Sequence, residues 1–129
     1  MATAAQIIER ALQDAKIFAA GETVSGTADE TYALRHLNDM LAEWEIDGID
    51  LAPVVLTTSS TIDVPASHEG AIIANLAVRL IVSGFGGQLD PGLKFHADKG
   101  YERLRAYHFT IADLTDENPL SRDNLSTND

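Results

Sequence analysis

The groups best suited to chemistry in this chain are carboxylates. Glu43, Glu45, Asp47 and Asp50 lie close together. Two carboxyl groups are what glycoside hydrolysis requires, one to give a proton and one to attack or to activate water. On a helix Glu43 and Asp47, four residues apart, share a face, while Glu45 points elsewhere. No sequence feature buries either carboxyl in an apolar pocket, so the residues favour a solvated acidic face over a catalytic pair. The histidines, His36, His68, His96 and His108, stand at no metal-ligand spacing. The chain has no cysteine, which removes thiolate ligands, a cysteine nucleophile and disulfides. Neither is there a Gly-x-Ser-x-Gly elbow. Gly84, Gly86 and Gly87 only loosely resemble a phosphate loop, because no Gly-Lys-Ser/Thr follows them; a helix stop with a turn fits better. Arg79 sits in an apolar run, where a guanidinium needs partners whether or not it has a catalytic role. The reading is therefore of no catalytic, cofactor or metal residue.

The elements that position these groups read as helices. The longest pattern is Ala28–Gly48, in which Leu34, Leu37, Leu41 and Trp44 form one helical stripe widened by Ala33 and Met40. Thr27 followed by Glu30 predicts a capping box, and Gly48 a left-handed stop. Trp44, the lone tryptophan, is expected to anchor the core with its N–H paired. A first helix is expected over 3–19, opened by a Thr3/Gln6 capping box and stopped by Gly21. Residues 54–57 and 61–64, β-branched around Thr58, Ser59 and Ser60, predict a β-hairpin at about 54–64. Two strands alone are marginal, so the hairpin must lean on something else. A third helix, about 68–83 with Ser67 as candidate N-cap, is apolar on nearly every side and must be buried in the domain or in an assembly. Asn75 and Arg79 are its polar exceptions on one face. Asp90-Pro91 opens a fourth helix, about 91–111. Its stripe is Leu93, Ala97, Tyr101, Leu104, Tyr107 or His108, and Ile111. The expectation is a mainly α fold: a four-helix bundle-like domain over 1–112 with a small hairpin between its second and third helices.

Charge narrows the function. The formal net charge is −11. An acidic chain gains nothing from counterion release, so nucleic acid or an anionic membrane is disfavoured as its main partner. Between Arg35 and Arg79 there are seven acids and no Lys or Arg, whereas four of the nine bases fall between Lys94 and Arg105. Such asymmetry can serve contacts between neighbouring copies, with Glu43 and Asp47 on one side and Lys94, Lys99 and Arg103 on the other. Residues 113–129 have no helical stripe and read as an extended partner-binding tail. Leu114, Pro119, Leu120, Arg122 and Leu125 are its candidate contacts. The N-terminus lacks the basic start and apolar run of a secretory signal, and no apolar stretch approaches the roughly 20 residues that span a bilayer.

Leu37–Ile49, LNDMLAEWEIDGI, resembles the core motif of tailed-phage head–tail connector proteins, also called adaptor or head-completion proteins. The resemblance continues through an amphipathic N-terminal helix, the hairpin, NLAVRL at Asn75–Leu80, a glycine-rich stop and the Pro91-x-Leu93 helix start. It covers about residues 5–110, and the tail agrees only in character. Its core positions are Leu37, Leu41, Trp44, Gly48, Asn75, Leu76 and Arg79. Relatives often carry a proline after the leucine of the third helix, where this chain has Ile81 and Val82. The resemblance implies a structural virion protein, made in the host cytoplasm and placed at the portal vertex of a capsid. It implies a ring, commonly of twelve copies, under the portal. Such a ring extends the DNA channel, retains packaged genome and presents a platform to a stopper or tail-tube protein. Double-stranded DNA passes through it without specific binding, and the C-terminal segment reaches the portal. Two other readings stand beside it. One is a virion-associated peptidoglycan-cleaving enzyme using Glu43 and Asp47. The other is a small helical regulatory or interaction module.

Overall fold

The structure is a computed structural model; it describes residues 2–51 and 55–115, with side chains as far as 109. The fold is mainly α-helical, in the order β1 (Ala2–Thr3), α1 (Ala4–Asp14), α2 (Ala28–Ile46), β2 (Thr61–Ile62), α3 (Ala66–Val82) and α4 (Pro91–Thr115). The expected four helices are present. Their ends and the strand pairing differ in instructive ways.

α1 opens as expected. The Thr3 hydroxyl accepts from the Gln6 N–H at 3.2 Å, and the Gln6 side chain accepts from the Thr3 N–H at 2.9 Å. It ends five residues early. Lys16 takes the left-handed conformation at φ 63°, the Ile17 N–H donates to the Leu12 carbonyl at 2.9 Å, and the Lys16 N–H to that of Gln13 at 3.0 Å. This is a Schellman closure on a lysine rather than on Gly21. The bend leaves the Ala15 carbonyl free for the Gln88 N–H at 3.4 Å. Gly87 packs there so closely that a Cβ would lie 2.1 Å from the Ala15 oxygen.

The expected hairpin is replaced by a different antiparallel pair. β2 uses residues from the second arm, but its partner is the N-terminus: Ala2 faces Ile62 and Thr3 faces Thr61. Residues 55–57 form no strand. The 57–60 turn aims its carbonyls at α1, whose first N–H groups are free. Ala4 donates to Ser60 at 2.8 Å and Ala5 to Thr58 at 3.0 Å. Glu69 accepts from the Ala2 N–H at 3.2 Å and ties the same strand to α3.

α2 has half of its predicted capping box. The Thr27 hydroxyl accepts from the Glu30 N–H at 3.2 Å, but the buried Glu30 carboxylate takes the Gly26 N–H at 3.0 Å instead of that of Thr27. Gly48, at φ 95°, closes the helix as expected, and Ile49 turns back into the core. α3 begins at Ala66 after Pro65, without a side-chain cap, so Ser67 lies inside the helix. Its apolar girth is explained within the domain. Ala71, Ile72, Ile73, Leu76, Ala77 and Leu80 are buried because α3 packs on α1, α2 and α4 together. The glycine run ends it, with the Phe85 N–H on the Leu80 carbonyl at 3.2 Å and the Phe85 ring stacked on Tyr32.

α4 starts at Pro91 and continues to Thr115, past the expected end. Leu114, expected in the tail, is therefore helical, while Pro119, Leu120, Arg122 and Leu125 lie outside the described residues. Of the two candidates for its stripe, His108 is half-buried and Tyr107 is 48% exposed. Among the described residues no helix is long and apolar enough to cross a membrane.

Candidate functional site

The acidic residues of α2 open onto a shallow cleft of about 390 Å³ between α2, α3 and α4. Its floor is aromatic: Trp44 is buried, with its ring centroid 5.5 Å from that of Tyr101. Its walls carry Glu43 from α2, Asp47 from that helix's C-cap, and Asp98 and Glu102 from α4. Helical spacing explains the grouping, since each pair lies four residues apart and projects to one side.

Arg79, on α3, pairs with one of these acids. Its guanidinium donates to both carboxylate oxygens of Glu43, each at 2.9 Å, and its Nε–H points at His36 Nδ1 at 3.4 Å. The hydrogen bond from Arg79 holds the Glu43 carboxyl below the usual carboxylate range, against the opposing effect of desolvation. The same bond pushes Arg79 up, and burial followed by the arginine's charge pushes His36 down. The Tyr101 hydroxyl donates to Asp47; burial first, and then this bond, raise the tyrosine. A carboxylate gripped by a guanidinium stays ionised, so Glu43 has no proton to give in general acid catalysis. The arrangement suits charge recognition.

The motif residues occupy the interior side of the same junction. Leu37, Leu41, Trp44 and Leu76 are buried, and Gly48 supplies the turn that returns Ile49 to the core. The Trp44 indole N–H, expected to be paired, has no hydrogen-bond partner among the described residues. Asn75 clamps two helices: its Nδ2 donates to the Ala71 carbonyl in α3 and to the Ala97 carbonyl in α4, both at 2.8 Å. These residues therefore build the junction of α2, α3 and α4.

The candidate contact residues are distributed over two flanks of α4. Glu43 and Asp47 lie in the acidic cleft, already engaged by Arg79 and Tyr101. Lys94 pairs with Asp98 at 2.7 Å and Lys99 with Glu102 at 3.8 Å, both on exposed helix surface. Such pairs contribute about 0.3–0.5 kcal/mol and exchange partners readily. Arg103 makes no ion pair among the described residues and faces the other flank. There a groove of about 520 Å³ runs between α3 and α4, floored by Gly70, Ala71, Ala74 and Gly100. Arg103, His68 and His96 line it, with Asp14 as its acid.

Three features escaped sequence reasoning. Asn38 holds the 55–57 segment with a fork, accepting from the Leu56 N–H at 2.8 Å and donating to its carbonyl at 3.1 Å. An asparagine on a polar helix face carries no signal of this. Gly100 brings α4 against Ala71, where a Cβ would lie 2.7 Å from that of Ala71. An isolated glycine inside a helical pattern is such a signal. The third is a ring cluster where α3 begins. His68 meets Tyr107 edge-on at 4.9 Å and lies 6.3 Å from His108, whose buried Nε2 has no partner among the described residues. Burial, and then the charge of His68, hold His108 below the ordinary histidine range. Compared with known protein families and with curated protein sequences, the chain matches none.

Proposed function

We propose that this chain is a structural head–tail adaptor of a tailed-phage particle, forming a ring beneath the portal. The observation that carries the reading is the unlike character of the two flanks of α4. One is an acidic cleft and the other a groove of small and apolar residues that carries both Arg103 and Asp14. Rings require heterologous contacts between two different faces of each subunit. Exposed apolar residues fit the same use: Ile46 ends α2, Val55 lies between α2 and α3, and Phe95 and Phe109 lie on α4. The net charge of −11 suits a channel past which DNA moves without adhering. The motif resemblance of Leu37–Ile49 and Asn75–Leu80 supplies the family. In this reading the portal is gripped by residues beyond Thr115, with Pro119, Leu120, Arg122 and Leu125 as contacts. The ring then offers its other end to a stopper or tail-tube protein.

Electron cryo-microscopy of the full-length chain mixed with its portal tests the reading. A ring of density under the portal is the expected result. Particles made without this protein are expected to be leaky or unfilled and to lack tails; normal tailed particles would overturn the proposal. A chain truncated after Thr115 is expected to keep its helical circular dichroism and to lose portal docking. Docking that survives the truncation refutes the assignment of the tail.

A further inference from the structure

We propose that the acidic cleft between α2, α3 and α4 is a receptor site for an arginine presented by a partner protein. The guanidinium meets Asp47 beside the Tyr101 ring, and the backbone carbonyl of that arginine takes the Trp44 indole N–H. The cleft holds about 390 Å³. Volumes of roughly 300–1,000 Å³ accept anchored ligand groups. Trp44 and Tyr101 both line it, which gives an entering side chain an aromatic surface to lie on.

The ligand's chemistry follows from the bonding capacity that remains on the cleft's own groups. Trp44 is only 6% exposed, yet its indole N–H has no partner among the described residues. A tryptophan so deeply buried ordinarily spends that donor, because an unmade hydrogen bond costs the desolvation of the group. Asn75 gives both amide hydrogens to the Ala71 and Ala97 carbonyls, which leaves its Oδ1 as an acceptor. Asp47 follows Trp44 by three residues and so lies beside it at the end of α2. It accepts one bond from the Tyr101 hydroxyl, has lone pairs to spare, and makes no ion pair among the described residues. The other carboxylates are less available. Glu43 is gripped at two points by Arg79, while Asp98 and Glu102 pair with Lys94 and Lys99. Those last two pairs are exposed and exchange at little cost. The cleft thus offers an anionic acceptor, a neutral acceptor and one donor. Its complement is a cation rich in N–H groups next to a carbonyl, which is an arginine within a peptide. The five donors of a guanidinium form a planar fork that matches a carboxylate, and the plane stacks on aromatic faces. A lysine ammonium is a point charge without the fork.

The inference deepens the adaptor reading, and rests on it for the use of the cleft as a contact face. Its test needs neither ring nor portal. Trp44 is the lone tryptophan, so the full-length chain has a single indole N–H resonance. The probe is the peptide acetyl-Gly-Arg-Gly-amide. Titrated into isotope-labelled protein, it is expected to move that resonance to saturation. The same peptide with citrulline, neutral but of like shape, is expected to leave the resonance in place, and the lysine peptide to bind several-fold more weakly. Agmatine, a guanidinium without the carbonyl, is expected not to reproduce the indole shift. Asp47→Asn keeps an acceptor for Tyr101 and is expected to raise the dissociation constant of the arginine peptide about tenfold, the scale of one hydrogen bond to a charged group. An indole resonance that does not move overturns the proposal, as does one that moves equally with the citrulline or the lysine peptide. An Asp47→Asn chain that binds like the parent overturns it too. So does agmatine that reproduces the full shift, since the ligand is then a free small cation. Failure of the peptide to bind leaves ring assembly under the portal standing, and failure of ring assembly leaves the peptide result standing.

Discussion

Gly100→Ala tests the junction that sets both flanks of α4. In isolation the substitution favours the helix, because alanine exceeds glycine by about 0.8–1.0 kcal/mol in helix interiors. The packing opposes it. The new Cβ would sit 2.7 Å from the Ala71 Cβ and 2.9 Å from its Cα. Ordinary carbon contacts are about 3.5–4.0 Å, so α4 must retreat by about 1 Å. No rotamer relieves this, since the obstruction includes backbone. Overpacking of this kind costs about 1–3 kcal/mol. Retreat also stretches the bond from Asn75 to the Ala97 carbonyl, now 2.8 Å, which adds about 1 kcal/mol. The net expectation is destabilisation by about 1–3 kcal/mol, read in urea as a lower midpoint with an unchanged slope. A melting point lower by about 4–12 °C accompanies it, at about 4 °C per kcal/mol for a chain of 129 residues, between the small and large size classes. Ala71→Gly in the same chain removes the Cβ–Cβ clash and is expected to couple favourably with Gly100→Ala in a double-mutant cycle. Rescue is partial, because the Ala71 Cα remains in place. If Gly100→Ala stabilises the protein by the bare helix propensity, the close-approach argument is refuted.

Three further outcomes follow from individual contacts. Glu43→Gln is expected to cost no more than about 1 kcal/mol near neutral pH, because the carboxylate is largely exposed. The carboxyl is held below its unfolded value, so this stability is present above about pH 4.5 and is lost as pH falls through the folded value. The difference between variant and parent should therefore vanish in acid, as chemical denaturation across that range would reveal. His108 has the opposite chemistry but the same direction. Its folded value lies below 6.5, so the unfolded chain binds more protons and stability declines as pH drops below about 6.5. His108→Gln should flatten that decline, and an unchanged pH profile would contradict it. Asn38→Ala should expose the Leu56 amide to hydrogen exchange and cost about 1–3 kcal/mol, since it strips partners from both of that residue's backbone groups. Leu56 protection equal to the parent's would show that the fork is dispensable.

Much of the architecture was legible because helices are local objects. Leu37, Leu41 and Trp44 declare their stripe by spacing alone, Thr3 and Gln6 declare a cap, and Asp90-Pro91 a start. The residues of α3 likewise announce burial, since no helix face of Ala71–Leu80 is fit for water. Pairing between distant segments was not legible. Residues 54–64 place β-branched side chains on either side of a polar turn, which reads as a hairpin, yet β2 pairs with the N-terminus. The free N–H groups of α1 decide this by taking the turn's carbonyls, and the sequence has no local mark for such a contact. The stop of α1 on Lys16 is similar, because the docking of Gly87 and Gln88 on Ala15, far along the chain, accompanies the bend.

For the candidate site the division is sharper. Sequence alone determined the chain's charge, the segregation of acids from bases, and the residue types available for chemistry. Tertiary structure decided which of them meet: Arg79 on Glu43, Tyr101 on Asp47, Asn75 across two helices, and Gly100 against Ala71. Spacing along a helix specifies a face, but the neighbour opposite that face is chosen by how three helices cross. That choice rests on packing summed over the whole core, which no short stretch of residues contains.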